Sequence, residues 1–223
     1  MTSIFQRALG PAYDQLHPQL QRRFGFSAAD GVACVGRGTM DRVWHRRIIT
    51  RPFLGLGARR HILVTGSGRD IPFTIENYAY RDGLGRETVT FARTFWFDTV
   101  QHWDATMIYS AERSAIVDYL GTHQHLAVDL HMTVDAQGGL LIRSGEQRFR
   151  ECGIGLVVPR LITGVAEVRE SYDDDQERFC IEVVVTNPVF GPLFGYRGTF
   201  TATYPQQTRV PARARPLREA ARA

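Results

Sequence analysis

Two ionisable residues, Glu87 and Arg93, lie in a run of large apolar residues that alternates with the period of a β-strand. Side chains two positions apart share one face of a strand, so the segment 86–97 places on one face Glu87, Val89, Phe91, Arg93, Phe95 and Phe97. Burying a charge costs free energy unless the charge is paired with an opposite charge or has a functional role. We therefore interpret this face as the wall of a pocket, with Glu87 and Arg93 as its candidate catalytic residues.

Other charged and aromatic residues on apolar faces extend this candidate site. An arginine is suited to orient an anionic or carbonyl-bearing ligand, a glutamate to act as acid or base, and aromatic walls to hold an apolar body. The candidate ligand-binding residues are Phe91, Phe95, Arg143, Glu170, Glu182, Tyr196 and Phe200. The alternative is that the charges form internal Arg–Glu pairs, which fix the register of the strands and bind no ligand.

A histidine-rich segment carries the metal motif that we considered. His123, His125, Asp129 and His131 share one face of a strand, and H-x-H followed by a carboxylate is similar to the first metal motif of cupins. The second cupin motif is missing, because no histidine follows His131. The opposite face, from Leu126 to Met132, is fully apolar. The simplest interpretation puts that face in the core and the histidines toward water, and we predict no metal site.

Other catalytic classes receive little support from the sequence. His102 and Asp104 share a face and could transfer protons, but the opposite face is apolar, which favours a surface position for the pair. No serine lies in a G-x-S-x-G nucleophile elbow. All 27 basic residues are arginine, which excludes a Schiff-base lysine and a P-loop lysine. We expect no cofactor.

Two periodicities assign the elements that must position these residues. Between residues 3 and 24, apolar residues recur at spacings of three and four, which predicts two short helices interrupted at Pro11 and Pro18. From about residue 31 the period changes to two, and glycine- and aspartate-rich turns separate the runs. The predicted strands are 32–40, 42–49, 60–66, 71–80, 86–97, 101–110, 114–119, 124–134, 139–143, 146–151, 162–172, 178–186 and 196–204.

Many short strands joined by hairpin-like turns predict a mostly β fold: an antiparallel β-barrel or strongly curved half-barrel, lipocalin-like, with the short N-terminal helices as a lid or plug. Two glycine-rich apolar segments, 51–60 and 152–161, fit corners at the barrel end or mobile loops at the mouth of a cavity. Residues 1–204 are predicted to form a single domain that includes the helices.

Charge and composition limit the partners. Five arginines and one glutamate between Arg209 and Ala223 account for the whole net charge of +4, so the body carries no basic surface for nucleic acid. Residues 205–223 are predicted to be a disordered arm. No apolar run is long enough to span a membrane, no leader pattern is present, and three scattered cysteines fit reduced thiols. We expect a cytoplasmic protein and leave its oligomeric state open.

Several motifs along the chain carry a family resemblance. The chain starts with Ile-Phe-Gln-Arg-Ala-Leu-Gly-Pro, followed by Leu-His-Pro and Arg-Arg-Phe-Gly. The internal motifs are 104–107, 116–121, 125–130, 143–149 and the specific Asn-Pro-Val-Phe-Gly-Pro-Leu-Phe-Gly-Tyr-Arg-Gly-Thr-Phe of 187–200. Together with the start, they resemble a bacterial family catalogued as domain of unknown function 4166. The resemblance extends to about Tyr204 and implies one intact domain. It implies no catalytic residue.

Three functional hypotheses follow. The first is a module that binds a hydrophobic small molecule in the cavity of a barrel. The second is a cofactor-independent cyclase or isomerase acting on a polyketide- or terpene-like intermediate of specialised metabolism, because shape, aromatic walls and one or two charges suffice for such chemistry. The third is a metal-dependent, cupin-like enzyme. We take the first as the main prediction and the second as its alternative.

Overall fold

A computed structural model describes residues 2–46, 64–151, 154–158, 164–207 and 209–221. The helices are α1 (Ile4–Leu9) and α2 (Pro18–Phe24), with 3₁₀ turns at Gly10–Gln15, Ala28–Asp30 and Ala212–Ala214. The strands are β1 (Ala33–His45), β2 (Gly68–Arg81), β3 (Glu87–Trp96), β4 (Val100–Ser110), β5 (Ala115–Leu120), β6 (Leu126–Val134), β7 (Leu140–Glu151), β8 (Ile154–Val157), β9 (Val165–Asp173), β10 (Arg178–Asn187) and β11 (Gly191–Thr203). None of the described helices is long and apolar enough to cross a membrane.

The strands of the described residues form one antiparallel sheet that closes on itself. Ten of them follow the order β6-β5-β4-β3-β2-β1-β11-β10-β9-β7, and β7 also pairs with β6. β8 folds back on the far end of β7 as a hairpin. Closure pairs both edges of the ten-stranded sheet with each other. The predicted antiparallel barrel is therefore confirmed, in its fully closed form.

Bulges join several segments that the sequence predicted as separate strands. The predicted strands 32–40 and 42–49 both overlap a single strand, β1. Its pairing with β11 shifts register between Thr39 and Arg42. The predicted strands 139–143 and 146–151 are both part of β7. Its pairing with β6 shifts register between Val128, which pairs with Gln147, and Leu130, which pairs with Ser144. Most of the predicted strand 60–66, and all of the glycine-rich segment 51–60, lie outside the described residues.

Two glycines allow β1 and β11 to approach each other closely. A Cβ atom on Gly38 would lie 2.0 Å from the carbonyl oxygen of Thr199, and one on Gly198 would lie 2.2 Å from that of Thr39. No side chain fits at either distance, so this close approach of the paired strands requires glycine on both of them. The close approach lies beside the β1 bulge, and a bulge bends its strand.

The N-terminal helices close one end of the barrel, which we call the closed end. Ser3 and Gln6 form a capping box on α1, and the Ser3 hydroxyl donates to the Phe24 carbonyl at 2.7 Å, which joins the two helices. The apolar stripe predicted from the sequence is buried throughout: Phe5, Leu9, Tyr13, Leu16, Leu20 and Phe24. The predicted short helices on the barrel are confirmed, and they act as its plug.

The C-terminal residues 209–221 lie along the outside of the barrel, in contrast to the free arm that the sequence predicted. Val210 and Ala214 are buried against Tyr78 and Tyr80. Further along, backbone amides donate to the β5–β6 turn, from Leu217 to the Thr122 carbonyl and from Ala220 to Gln124 Oε1. The segment therefore covers outward-facing apolar side chains that would otherwise be in water, including Val117 and Tyr119 of β5.

Candidate functional site

The barrel encloses a cavity of about 840 Å³, which lies within the range of roughly 300–1,000 Å³ that small-molecule sites occupy. Phe5 and Phe24 of the helices line its floor at the closed end, and inward-facing side chains of β2–β11 form its walls. At the other end it is lined by Leu156 and Val157 of β8, which are 61% and 62% exposed. The cavity therefore opens to solvent beside β8.

Among the described residues, three buried polar atoms of this largely apolar wall have no hydrogen-bond partner: Arg93 Nε, Trp103 Nε1 and Asp118 Oδ1. Arg93 of β3 is paired in register with Trp103 of β4, and its guanidinium carbon lies 5.1 Å from the centre of the indole ring. Asp118 of β5, opposite Met107, faces the same cavity. Because buried polar groups in native proteins are nearly always hydrogen-bonded, these atoms mark where polar groups of a ligand would bind.

Asp118 is a buried acid in the wall of the cavity, and only 7% of this residue is exposed. Burial raises the pKa of its carboxyl to about 7, although the nearby charge of Arg93 opposes the rise. Near neutral pH both protonation states are populated, so this carboxyl can either donate or accept a proton. Burial likewise raises the pKa of the Tyr196 phenol to about 12, so that this hydroxyl remains protonated.

Glu170 also lines the cavity, but its charge is engaged by Arg23 of α2. The Arg23 guanidinium is fully buried, its Nε donates to Glu170 Oε1, and its Nη1 donates to Asn77 Oδ1 at 2.9 Å. Burial lowers the pKa of Arg23, but Glu170, Cys34 and Tyr204 together outweigh burial and leave that pKa above its usual range. Arg23 therefore stays charged, and its ion pair with Glu170 joins the plug to the wall of the cavity.

The structure brings four of the residues predicted from the sequence to this cavity: Phe91, Arg93, Glu170 and Tyr196. Two other predicted residues lie in the packed core beside it. Phe95 is fully buried in an edge-to-face contact with Tyr196, with ring centroids 5.3 Å apart. Phe200 is also fully buried and stacks on Phe179 at 5.2 Å. These two rings support the wall but do not line the cavity.

Two predicted ligand-binding residues lie on the outer face of the barrel, which corrects their assignment to the cavity. Arg143 is exposed and pairs weakly with Glu167 at 3.6 Å, because Leu140 and Ile142 on β7 point inward and place Leu141 and Arg143 outward. Glu182 is exposed for the same reason, since its neighbours Ile181 and Val183 point into the cavity. Its register partners on the adjacent strands are Arg169 and Arg197, which also belong to the outer face.

Glu87 lies at the closed end, away from the cavity lining. Its carboxylate accepts a hydrogen bond from the Ala28 amide at 2.5 Å and so holds the chain that follows α2. The residue borders a depression with Arg7, Arg86 and Tyr109, and its Oε2 has no hydrogen-bond partner in the part of the chain that the structure describes. Glu87 and Arg93 therefore share a strand face, as predicted, but they do not share one site.

The face opposite the histidine motif lies inward, as the sequence predicted: Leu126, Val128 and Leu130 line the cavity. On the outer side, the Asp129 carboxylate is bound by Arg148, with Nη2 2.7 Å from Oδ1 and Nη1 3.0 Å from Oδ2. No group of three or more His, Cys, Asp or Glu residues suited to a metal ion occurs among the described residues.

The sequence analysis did not select Trp103 and Asp118, which line the cavity, or Arg23, which pairs with Glu170. Asp118 carried a usable signal: it is the charged residue of Ile116–Leu120, a segment that is apolar on both strand faces. Trp103 was assigned correctly to the apolar face of its strand, but its indole N–H was not considered as a donor. Arg23 gave no sign of its burial, because it lies at the edge of an otherwise ordinary amphipathic helix.

Comparisons with known proteins show the family to which the chain belongs. The family model described as a domain of unknown function (DUF4166) matches residues 16–200. The chain is also 34% identical over 201 residues to a protein of Bacillus subtilis (strain 168) named "Uncharacterized protein YndH", and the match covers 90% of this chain and 97% of that protein. The match to the family model includes the strands that form the cavity, from β1 through most of β11. The chain therefore belongs to the DUF4166 family.

Proposed function

We propose that this protein binds a hydrophobic small molecule inside its barrel. The observation that carries the proposal is the cavity of about 840 Å³, whose apolar walls surround a few buried polar groups. This combination is typical of sites that hold an apolar body and fix its orientation with a small number of hydrogen bonds. A core with no ligand-binding role would be expected to fill with side chains to the density of other protein interiors.

Titration with Nile red, a neutral apolar dye, tests the proposal. We expect saturable binding of one dye per chain, with an increase and blue shift of its emission as it leaves water. Native mass spectrometry of the purified protein provides an independent check, since a co-purifying ligand would appear as an added mass that is lost on denaturation. Dye emission that stays at its value in buffer, together with an unliganded mass and no uptake of added lipids, would contradict the proposal.

A second candidate function is a cofactor-independent isomerase or cyclase, and Asp118 is the specific observation that favours it. Its pKa of about 7 suits a group that removes and returns a proton near neutral pH. The N–H groups of Arg93 and Trp103 could stabilise negative charge that develops on a carbonyl oxygen of the substrate. Enclosing walls would hold a flexible substrate in one reactive conformation.

Proton exchange at a ketone separates this candidate from simple binding. The probe is 2-undecanone in D₂O, and the measurement is the NMR rate of deuterium incorporation next to its carbonyl. The enzyme hypothesis expects acceleration by the native protein and loss of that acceleration in Asp118→Asn, while Nile red still binds to both. Binding of the ketone without any acceleration would count against proton abstraction and leave the binding function standing.

A further inference from the structure

The charges around the cavity favour one class of ligand over neutral oils. Arg93 carries a positive charge, and its guanidinium lies over the rings of Phe91 and Trp103. In the described part of the chain, no carboxylate lies within ion-pair distance of it. The carboxylate of Glu170 is already bound by Arg23. Asp118 is the remaining acid of the wall, and its burial favours the neutral form. The charge of Arg93 is therefore left for a ligand to neutralise.

The geometry of the polar atoms matches an acceptor group with several lone pairs. Arg93 Nε and Trp103 Nε1 are both N–H donors that are buried and unpaired, and they belong to residues paired across neighbouring strands. A protonated Asp118 adds an O–H donor, and its Oδ1 is also unpaired. A carboxylate accepts several hydrogen bonds at once, and charge-assisted hydrogen bonds are the strongest kind available to it.

The rest of the cavity fits a long apolar chain attached to that head. From Asp118 toward the mouth, the wall is formed by Leu120, Leu126 and Phe149, and then by Leu156 and Val157. A ligand with its head inside and its chain pointing outward would bury the chain against these side chains. This arrangement would also use the exposed apolar residues of β8, which otherwise contact water.

Building on the proposed binding function, we infer that the ligand is a long-chain carboxylic acid, and that Arg93, Trp103 and Asp118 bind its carboxylate inside the barrel. The inferred class follows from an uncompensated cation, unpaired N–H donors and an apolar channel to the mouth. A carboxylate near Asp118 would favour its protonated form, since two adjacent negative charges repel. Binding at a pH where Asp118 is ionised should therefore take up a proton.

The inference is tested by displacing bound Nile red with three probes that have the same long alkyl chain and different head groups: palmitic acid, methyl palmitate and 1-hexadecanol. We expect palmitic acid to bind about tenfold or more tightly than the other two, because a charge-assisted hydrogen bond is stronger than a neutral one. Arg93→Gln should abolish this preference, and Arg93→Lys should keep part of it. The matched control Arg143→Gln, which removes an arginine from the outer face, should leave the preference unchanged.

Proton uptake provides a second readout that does not depend on the stability of the Arg93 variants. Calorimetric titrations with palmitic acid at pH 8, in buffers of different ionisation enthalpy, should show net uptake of a proton by the native protein and none by Asp118→Asn. Equal affinity for all three probes, or a preference that survives in Arg93→Gln, would overturn the inference while the binding function stood. Failure to bind any of the three probes or Nile red would overturn both.

Discussion

Arg23 of α2 donates a hydrogen bond from its Nε to Oε1 of Glu170 on β9, so the helix that plugs the barrel is tied directly to the wall of the cavity. The two side chains are 0% and 5% exposed, which makes this a fully desolvated ion pair. The same guanidinium donates to Asn77 Oδ1 and Cys34 Sγ, and it lies 4.9 Å from the centre of the Phe200 ring. Floor and wall of the cavity are thus joined by one network.

Removing only the cation should destabilise the protein strongly. We expect Arg23→Met to lower the free energy of unfolding by about 3–5 kcal/mol, because it leaves the buried Glu170 carboxylate without a partner. Urea denaturation followed by circular dichroism measures the change. The control is Arg143→Met, which breaks an exposed pair and should cost less than about 1 kcal/mol.

Removing both charges tests the cause of that loss. The double variant Arg23→Met/Glu170→Leu should recover much of the stability, because no unpaired buried charge remains. If Arg23→Met alone costs no more than Arg143→Met, then the tie between plug and wall contributes nothing to stability.

The alternation of apolar residues was sufficient to predict the barrel and part of its cavity. In the segment 86–97, most side chains on one face are large and apolar, while the centre of the other face is small (Thr88, Thr90, Ala92 and Thr94), so the inward position of Phe91 and Arg93 followed from the period. The helical stripe of residues 3–24 was predicted for the same reason. Each pattern has one apolar face, and a single apolar face has only one way to be buried.

Strands that are apolar on both faces could not be assigned in this way. Leu140, Leu141 and Ile142 are consecutive, so the pattern does not say which of them points inward, and Arg143 was placed on the wrong side. In β5, both faces are buried because the C-terminal segment covers the outer one. That cover comes from a residue about a hundred positions later in the chain, Ala220, and local periodicity contains no information about such a contact.

Asp118 should make the protein less stable as the pH rises. Its carboxyl has a pKa of about 7 in the folded state and 3.8 as a reference for the unfolded chain, so between these values the folded state binds the proton more strongly. The unfolding free energy then falls with rising pH, by roughly 2–3 kcal/mol between pH 5 and pH 8 from this group alone. The contribution is constant only well below pH 3.8, and it is lost once the pH lies about one unit above the folded pKa of about 7.

Asp118→Asn isolates that contribution, because asparagine has a similar shape and does not titrate. The stability of this variant relative to the native protein should rise by the same roughly 2–3 kcal/mol from pH 5 to pH 8. Urea denaturation at a series of pH values measures it. A difference between the two proteins that stays constant over this range would show that Asp118 does not titrate with a raised pKa.

Filling the cavity should block binding at little cost in stability. Ala166 lines the cavity from β9, and its main-chain amide, which donates to Ser144 Oγ at 2.8 Å, is unaffected by a larger side chain. We expect Ala166→Phe to abolish Nile red binding and to change the unfolding free energy by less than about 1 kcal/mol. In a filled core the same change would cost about 1–3 kcal/mol through overpacking. Unchanged dye affinity in a folded Ala166→Phe protein would place the dye elsewhere.

The C-terminal segment should be held by packing more than by charge. Val210 is 6% exposed against Tyr78 and Tyr80, whereas Arg213 is largely exposed in its pair with Glu76 at 2.9 Å. We expect Val210→Asp to cost about 2–4 kcal/mol by burying an unpaired charge or releasing the segment, and Arg213→Gln to cost less than about 1 kcal/mol. Limited trypsin digestion should also cleave after Arg213 sooner in Val210→Asp, because this arginine leaves the surface of the barrel. A segment that did not pack would be cleaved equally fast in the native protein and in Val210→Asp, and neither substitution would change the stability of the barrel.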